Sequence, residues 1–151
     1  MVKEIRAASA PGTSSEPRKL VVNVLFTSAE ATKRALEAAV RLARGFDTTI
    51  EVVAPHIVPF HEQLDHPSVD TRVLLSHICE LAQDLPVQTA VHLVLGRDLE
   101  SILLSALKPD SIVLIGEREP LWPSQYRRLA EFLRSRGHHV VFTAHRNGHH
   151  A

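Results

Sequence analysis

Residues 94–116 read VLGRDLESILLSALKPDSIVLIG, and this stretch decides the fold class. It begins with an apolar run and turns at Gly96. Apolar residues then follow at the three- and four-residue spacing of an amphipathic helix, namely Leu99, Ile102, Leu103 and Ala106. It closes on a short apolar run at 111–115, typical of a buried strand. A strand, a helix and a second strand in this order predict one unit of a parallel sheet.

The same alternation continues on both sides of this unit. Further strands are predicted at 20–27, 49–54, 87–95 and 138–144, and further helices at 69–85, at 124–136 and after Thr27, which begins the capping box T-S-A-E. The predicted fold class is α/β, a three-layer sandwich around a five-stranded, mostly parallel, Rossmann-like sheet. Ligands of such sheets bind outside the carboxyl ends of the strands.

One domain accounts for almost the whole chain of 151 residues. Residues 1–18 are rich in Ala, Ser, Pro and charge, and we expect a flexible N-terminal arm there. The domain is expected over 19–146, and 147–151 are expected to be a polar C-terminal tail. Residues 55–67 contain three prolines and no clean period, which is typical of a connecting loop.

Composition excludes several classes of protein. Lys plus Arg and Asp plus Glu both number 17, which argues against a nucleic-acid or membrane-surface binder. One cysteine, Cys79, excludes an internal disulfide framework. No apolar run approaches the length of about 18 residues that a membrane span requires. We therefore expect a cytoplasmic protein with no nucleic-acid partner and no membrane partner.

No catalytic or metal-binding residue is predicted. His61, Glu62, Asp65 and His66 have metal-ligating side chains, but neither a helix nor a proline-rich loop directs all four to one point. Cys79 lies on a predicted helix, away from the strand ends, as a small buried hydrophobe does. Nucleophile elbows and Walker sequences are missing from the chain. An enzyme, as a small hydrolase or transferase without a recognisable signature, remains an alternative.

Two segments resemble the universal stress protein family. They are residues 20–53, LVVNVLFTSAEATKRALEAAVRLARGFDTTIEVV, and residues 94–116 quoted above, and the resemblance extends over about residues 19–145. It implies an adenine-nucleotide-alpha-hydrolase-like sandwich and a non-catalytic role in stress adaptation or regulation.

The chain departs from the nucleotide-binding members of that family at two places. Those members have an Asp at the end of the first strand, where this chain has Phe26. They also have a Gly-x-x-Gly run that wraps the phosphates, whereas here Gly116 is followed by Glu117, Arg118 and Glu119. Because acidic side chains repel a polyphosphate and the prolines at 120 and 123 donate no N–H, we expect no tight ATP binding and no cofactor.

The alternative is an AMP or ATP sensor with a remodelled phosphate loop. It would bind the nucleotide weakly, through a candidate pocket formed by Thr27, Gly96, Gly116 and Arg118. Trp122 and Tyr126 lie in or next to the same loop and would either fill the vacated pocket, as Phe26 could, or form an exposed recognition patch.

The last strand predicts self-association. Val140, Val141 and Phe142 form an apolar run followed only by a short polar tail, and an uncovered apolar edge strand invites pairing with another chain. The resemblance implies the same, because many universal stress proteins dimerise through their last strands. We therefore expect a homodimer that also contacts a further protein partner of unknown identity.

Overall fold

A computed structural model describes residues 2–8, 20–44, 46–116 and 124–143. The described strands are β1 Val2–Ala8, β2 Leu20–Leu25, β3 Thr48–Ile57, β4 Thr89–Gly96, β5 Ile112–Gly116 and β6 His139–Thr143. The described helices are α1 Ala29–Ala43, α2 Thr71–Ala82, α3 Leu99–Ala106 and α4 Ser124–Ser135. The alternation of strands and helices predicted from residue 20 onward is therefore confirmed.

The strands form one sheet in the order β1-β4-β3-β2-β5-β6. Every neighbouring pair is parallel except β1 and β4, which are antiparallel. The chain adds β3 and β4 on one side of β2 and then crosses to add β5 and β6 on the other. This order is compatible with a Rossmann-like fold, and its reversal between β2 and β5 marks the crevice where ligands bind in such sheets.

Helices cover both faces of the sheet, which confirms the three layers. One hydrophobic cluster joins α1 and α2 to one face, through residues such as Leu36 and Ile78. A second cluster joins α3 and α4 to the other face, through residues such as Ile102 and Leu133. Consecutive strand residues therefore contribute to opposite clusters, Val24 to the first and Leu25 to the second.

The prediction of a flexible arm at the N-terminus is wrong for residues 2–8. They form β1, which pairs with β4 from Val2 opposite Gly96 to Ala8 opposite Ala90. Without β1, the outer edge of β4 would leave its backbone N–H and C=O groups unpaired. Val2 and Ile5 also pack against the hydrophobic clusters on the two faces. The sheet consequently has six strands rather than five, and residues 9–18 and the predicted tail lie outside the described residues.

The third strand continues to Ile57, past its predicted end at residue 54, and it includes Pro55. The backbone N–H of Phe26 donates to the carbonyl of Val53, so Val53 faces β2, and by the alternation of the strand Pro55 faces the same side. Since β2 ends at Leu25, no ladder hydrogen bond is lost where proline has no N–H to give. Residues 54–57 therefore project beyond β2 and pair only with β4.

The capping of the first helix also differs by one residue. Ser28, not Thr27, is the N-cap of α1, and its hydroxyl accepts a hydrogen bond from the Ala31 N–H at 3.2 Å. Thr27 instead donates its backbone N–H to Oγ1 of the buried Thr32 at 3.1 Å. The Thr27 hydroxyl therefore takes no part in capping α1.

Candidate functional site

The candidate pocket residues lie at the carboxyl ends of three strands. Thr27 follows β2, while Gly96 and Gly116 are the last residues of β4 and β5. Arg118 lies outside the described residues. The structure therefore places the three described residues at the edge of the sheet that the prediction required, and it shows that both glycines also pack closely against helices.

Gly116 packs against the backbone of α1. A Cβ at this position would lie 2.6 Å from the carbonyl carbon of Ala31 and closer still to its oxygen. Because real Cβ atoms do not approach carbonyl groups so closely, only glycine allows α1 to lie this near to β5. Gly116 is thereby explained by contact between helix and sheet, with no need for a ligand.

Gly96 also contacts a helix, in this case through a side chain. A Cβ at this position would lie 2.5 Å from Cγ1 of Ile102 on α3 and 3.5 Å from Cγ2 of Val2 on β1. Gly96 is buried, and it lets α3 and the edge strand β1 meet above the end of β4. Neither Gly96 nor Gly116 lines the cleft described next.

An open cleft of about 330 Å³ lies at the carboxyl ends of β2 and β3. Phe26 and Thr27 line it beside the 54–57 extension of β3, and side chains from α2, α3 and α4 complete the wall, namely Leu74, Ile78, Leu99 and Tyr126. Within the described ranges, the polar groups of the lining are the Tyr126 hydroxyl and the side chains of Thr27 and His56. Phe26 and Tyr126 therefore form walls of the cleft, and Trp122 lies outside the described residues.

One polar atom in this cleft wall is left unpaired. The hydroxyl oxygen of Thr27 is buried and has no hydrogen-bond partner among the described residues. A buried hydroxyl without a partner destabilises the fold by about 1–3 kcal/mol. Among the described residues, the cleft lining is mostly apolar, with hydroxyl groups on Thr27 and Tyr126, an imidazole on His56 and no carboxylate.

Arg97 holds the loop on one side of the cleft, a role that no sequence motif indicates. Its guanidinium donates hydrogen bonds to the carbonyl groups of Val58 and Pro59 and lies 5.4 Å from the ring centroid of Phe60. These contacts fix the segment that follows β3 to the turn that follows β4. Arg97 is therefore a positioning residue and does not line the cleft.

The side chains that could ligate a metal point to different partners. Glu62 accepts a hydrogen bond from the Ser68 N–H at 2.7 Å and lies 3.6 Å from Nε2 of His61. Asp65 instead forms an ion pair with Lys3 on β1 at 3.2 Å. Within the described part of the chain, no three His, Cys, Asp or Glu side chains come together as metal ligands would.

A buried histidine joins three strands on the α3 face of the sheet. His92 on β4 is 8% exposed, and its Nδ1 lies 3.2 Å from Oε1 of Glu4 on β1. Its Nε2 lies 3.8 Å from Oε1 of Glu51 on β3. Neither ring nitrogen makes a hydrogen bond of good geometry within the described residues, so both contacts are ion pairs when the ring is protonated. The two nitrogens point in opposite directions, which excludes a shared metal ion.

The surroundings of Glu51 favour its ionised form. Donation from the His92 ring is the main influence that holds the pKa of Glu51 below its ordinary value of 4.5, and burial opposes it. The positive charges of His92, Lys108 and Arg6 act in the same direction as that donation. The Nε2–Oε1 distance of 3.8 Å makes this a long contact.

Glu51 is expected to stabilise the fold at neutral pH and not in acid. Because its pKa is lowered on folding, its contribution is complete above 4.5 and is lost as the pH falls through the folded value. Urea unfolding of Glu51→Gln should show a loss of about 1 kcal/mol at pH 7 that disappears once the pH falls below the lowered pKa of Glu51. The control is Glu131→Gln, an exposed position on α4. A loss for Glu51→Gln that persists unchanged in acid would contradict the ion pairing.

The three predicted interface residues divide between core and edge. Val140 is buried in the cluster under α3 and α4, whereas Val141 points to the other face and is 48% exposed. Val141 and Phe142 line a groove of about 570 Å³ between β6 and α1. The side chain of Val140 therefore lies in the core, and only its backbone is available at the edge of β6.

Within the described residues, no helix combines the length and the apolar character needed to cross a membrane. No protein-family model matches the chain, and a search of curated proteins finds no match either. The relation to universal stress proteins therefore stays a prediction from the sequence, and the geometry above is the basis for the function proposed next.

Proposed function

We propose that this protein is a non-catalytic regulatory domain, related to universal stress proteins, that acts as a homodimer paired through β6. The proposal depends on one observation, which is that β6 is an apolar strand at the end of the sheet. Among the described residues, no strand pairs with this edge. An exposed apolar side chain, that of Val141, lies along it.

The two edges of the sheet differ in the way that the proposal requires. β1, at one end, carries the charged side chains Lys3, Glu4 and Arg6, which discourage pairing with another chain. β6, at the other end, has the sequence HVVFT and no side chain that is always charged. A second copy is therefore expected at β6 and not at β1.

The groove beside β6 suits a self-complementary contact. Its wall on α1 combines the apolar Ala38 and Leu42 with the oppositely charged Glu37 and Arg41. An isologous interface places the same patch on both copies, so a patch with both signs of charge can pair with itself. This arrangement supports a twofold pairing along β6 in preference to an unrelated partner of one charge.

The surroundings of two candidate nucleophiles, Cys79 and Ser111, support a non-catalytic role. Burial raises the pKa of the Cys79 thiol, which disfavours the reactive thiolate. Ser111 and His138 do lie in contact, with 3.1 Å between Oγ and Nδ1. They lie at the amino ends of β5 and β6, however, opposite the edge where the cleft opens.

Sedimentation equilibrium of the wild-type chain tests the proposal. Over about 1 to 200 µM, we expect a reversible monomer–dimer equilibrium. A sedimenting mass that stays that of one chain over the whole range would reject the homodimer.

A second candidate function, adenine-nucleotide sensing, is favoured by the open cleft. Its volume of about 330 Å³ lies at the lower end of the range of about 300–1,000 Å³ for small-molecule sites. The apolar wall suits a planar base, but Glu117 and Glu119 follow β5 in the sequence and would repel phosphates.

Calorimetric titration with adenosine, AMP and ATP tests this candidate. We expect ATP to bind more weakly than about 100 µM, because the charge repulsion grows with each phosphate. If the cleft holds the base, adenosine should bind at least as tightly as ATP. Micromolar affinity for ATP would contradict the prediction from the sequence that this chain does not bind ATP tightly.

A further inference from the structure

In β6, two residues direct their backbone N–H and C=O groups toward the unpaired edge of the sheet. The N–H of His139 donates to the carbonyl of Ser111, so His139 faces β5. Because successive residues of a strand direct their backbone groups to opposite sides, Val140 and Phe142 face away from β5. A second copy that pairs along this edge has to bond to these two residues.

The outward-facing carbonyl of Val140 already accepts a hydrogen bond from Arg134. It lies in the last turn of α4, and its Nη2 donates a hydrogen bond to the Val140 carbonyl at 2.9 Å. The guanidinium carbon lies 6.0 Å from the ring centroid of Phe142, the next outward-facing residue. A neighbouring strand would lie about 4.8 Å from β6, so the guanidinium occupies space that the backbone of a partner would need.

We propose that Arg134 is an intramolecular cap that limits self-association through β6. The inference rests on the proposed homodimer and adds its regulation: the guanidinium must release the Val140 carbonyl before a second copy can pair. The hydrogen bond from Arg134 thus occupies part of an apolar edge along which Val141 is exposed. The occupant of the edge is a second copy of this chain.

Removal of the cap is expected to tighten the dimer. Sedimentation equilibrium should give Arg134→Ala a dissociation constant about tenfold lower than that of the wild type, the effect of one competing hydrogen bond. Arg136→Ala is the matched control. It removes the same charge two residues away, where the guanidinium lies over Phe132 at 5.2 Å. Its dissociation constant should stay within about twofold of the wild type.

A double variant shows which surface the tighter dimer uses. Arg134→Ala combined with Val141→Asp should be monomeric, because the carboxylate would face its own copy across the twofold axis. Circular dichroism establishes that each variant is folded. Retained dimerisation of the folded double variant would mean that the gain came from another surface, and it would overturn the inference.

The outcomes separate the cap from the homodimer itself. If the wild type dimerises and Arg134→Ala leaves the dissociation constant unchanged or raises it, the cap is wrong and the homodimer stands. The cap is also wrong if Arg136→Ala tightens the dimer equally, since the effect is then one of net charge. If the wild type and Arg134→Ala are both monomeric at every concentration, both proposals fail.

Discussion

Gly116→Ala is expected to destabilise the protein by about 3 kcal/mol or more, a large effect for one methyl group. The added Cβ would lie 2.6 Å from the carbonyl carbon of Ala31. This neighbour belongs to the backbone of α1 and cannot change rotamer, so the whole helix has to move away from β5. The move would separate the buried side chains that α1 packs on the sheet, such as Ala35, Leu36 and Ala39.

Urea unfolding measures this effect, with Gly96→Ala for comparison. Its Cβ would meet the side chain of Ile102, which can shift, so a smaller loss of about 1–2 kcal/mol is expected. If Gly116→Ala were no more destabilising than Gly96→Ala, the close approach of α1 and β5 would not be the reason for glycine at this position. Contact with a ligand would then become the competing explanation for glycine at this position.

Val141→Asp is expected to raise the dissociation constant of the homodimer at least about a hundredfold. The side chain is 48% exposed beside the groove, and a twofold axis would bring two new carboxylates together in an apolar contact. Sedimentation equilibrium measures the change, and circular dichroism has to show that the variant is folded.

The control for this substitution is Leu104→Asp. Leu104 is also an exposed apolar residue, at 41%, but it lies on α3, which packs over β3, β4 and β1 and away from β6. Its dissociation constant should remain close to that of the wild type. Equal weakening by the two substitutions would indicate a general effect of charge, and no weakening by Val141→Asp would place the dimer contact elsewhere.

The helices and parallel strands could be predicted because their signals are local. Leu99, Ile102 and Leu103 repeat at helical spacing, and Asp98 caps α3 by accepting a hydrogen bond at 2.8 Å from the N–H of Ser101, three residues further on. The strand at 2–8 has no comparable signal. Its sequence VKEIRAA mixes charged and small residues, and it becomes a strand because β4, about ninety residues away, supplies the pairing edge.

The candidate site was predicted less well than the fold. A cleft does lie at the carboxyl ends of the strands, where the sequence predicted a site, and Thr27 and Phe26 line it. Gly96 and Gly116 were interpreted as ligand-binding because they end strands, yet each is explained by a packed helix. The α2 wall, with Leu74 and Ile78, was not predicted, because helical spacing does not reveal which part of an apolar stripe stays uncovered.

The amino-acid sequence by itself determined the α/β class, the alternation of strands and helices, and the apolar character of the last strand. Each of these depends on residues that are close together in the chain. Tertiary structure alone decided the sixth strand, the role of the two glycines, the His92 ion pairs and the position of Arg134 on Val140. Each of these depends on which distant segments become neighbours, because a pairing edge, a close approach or a cap exists only between surfaces that folding brings together.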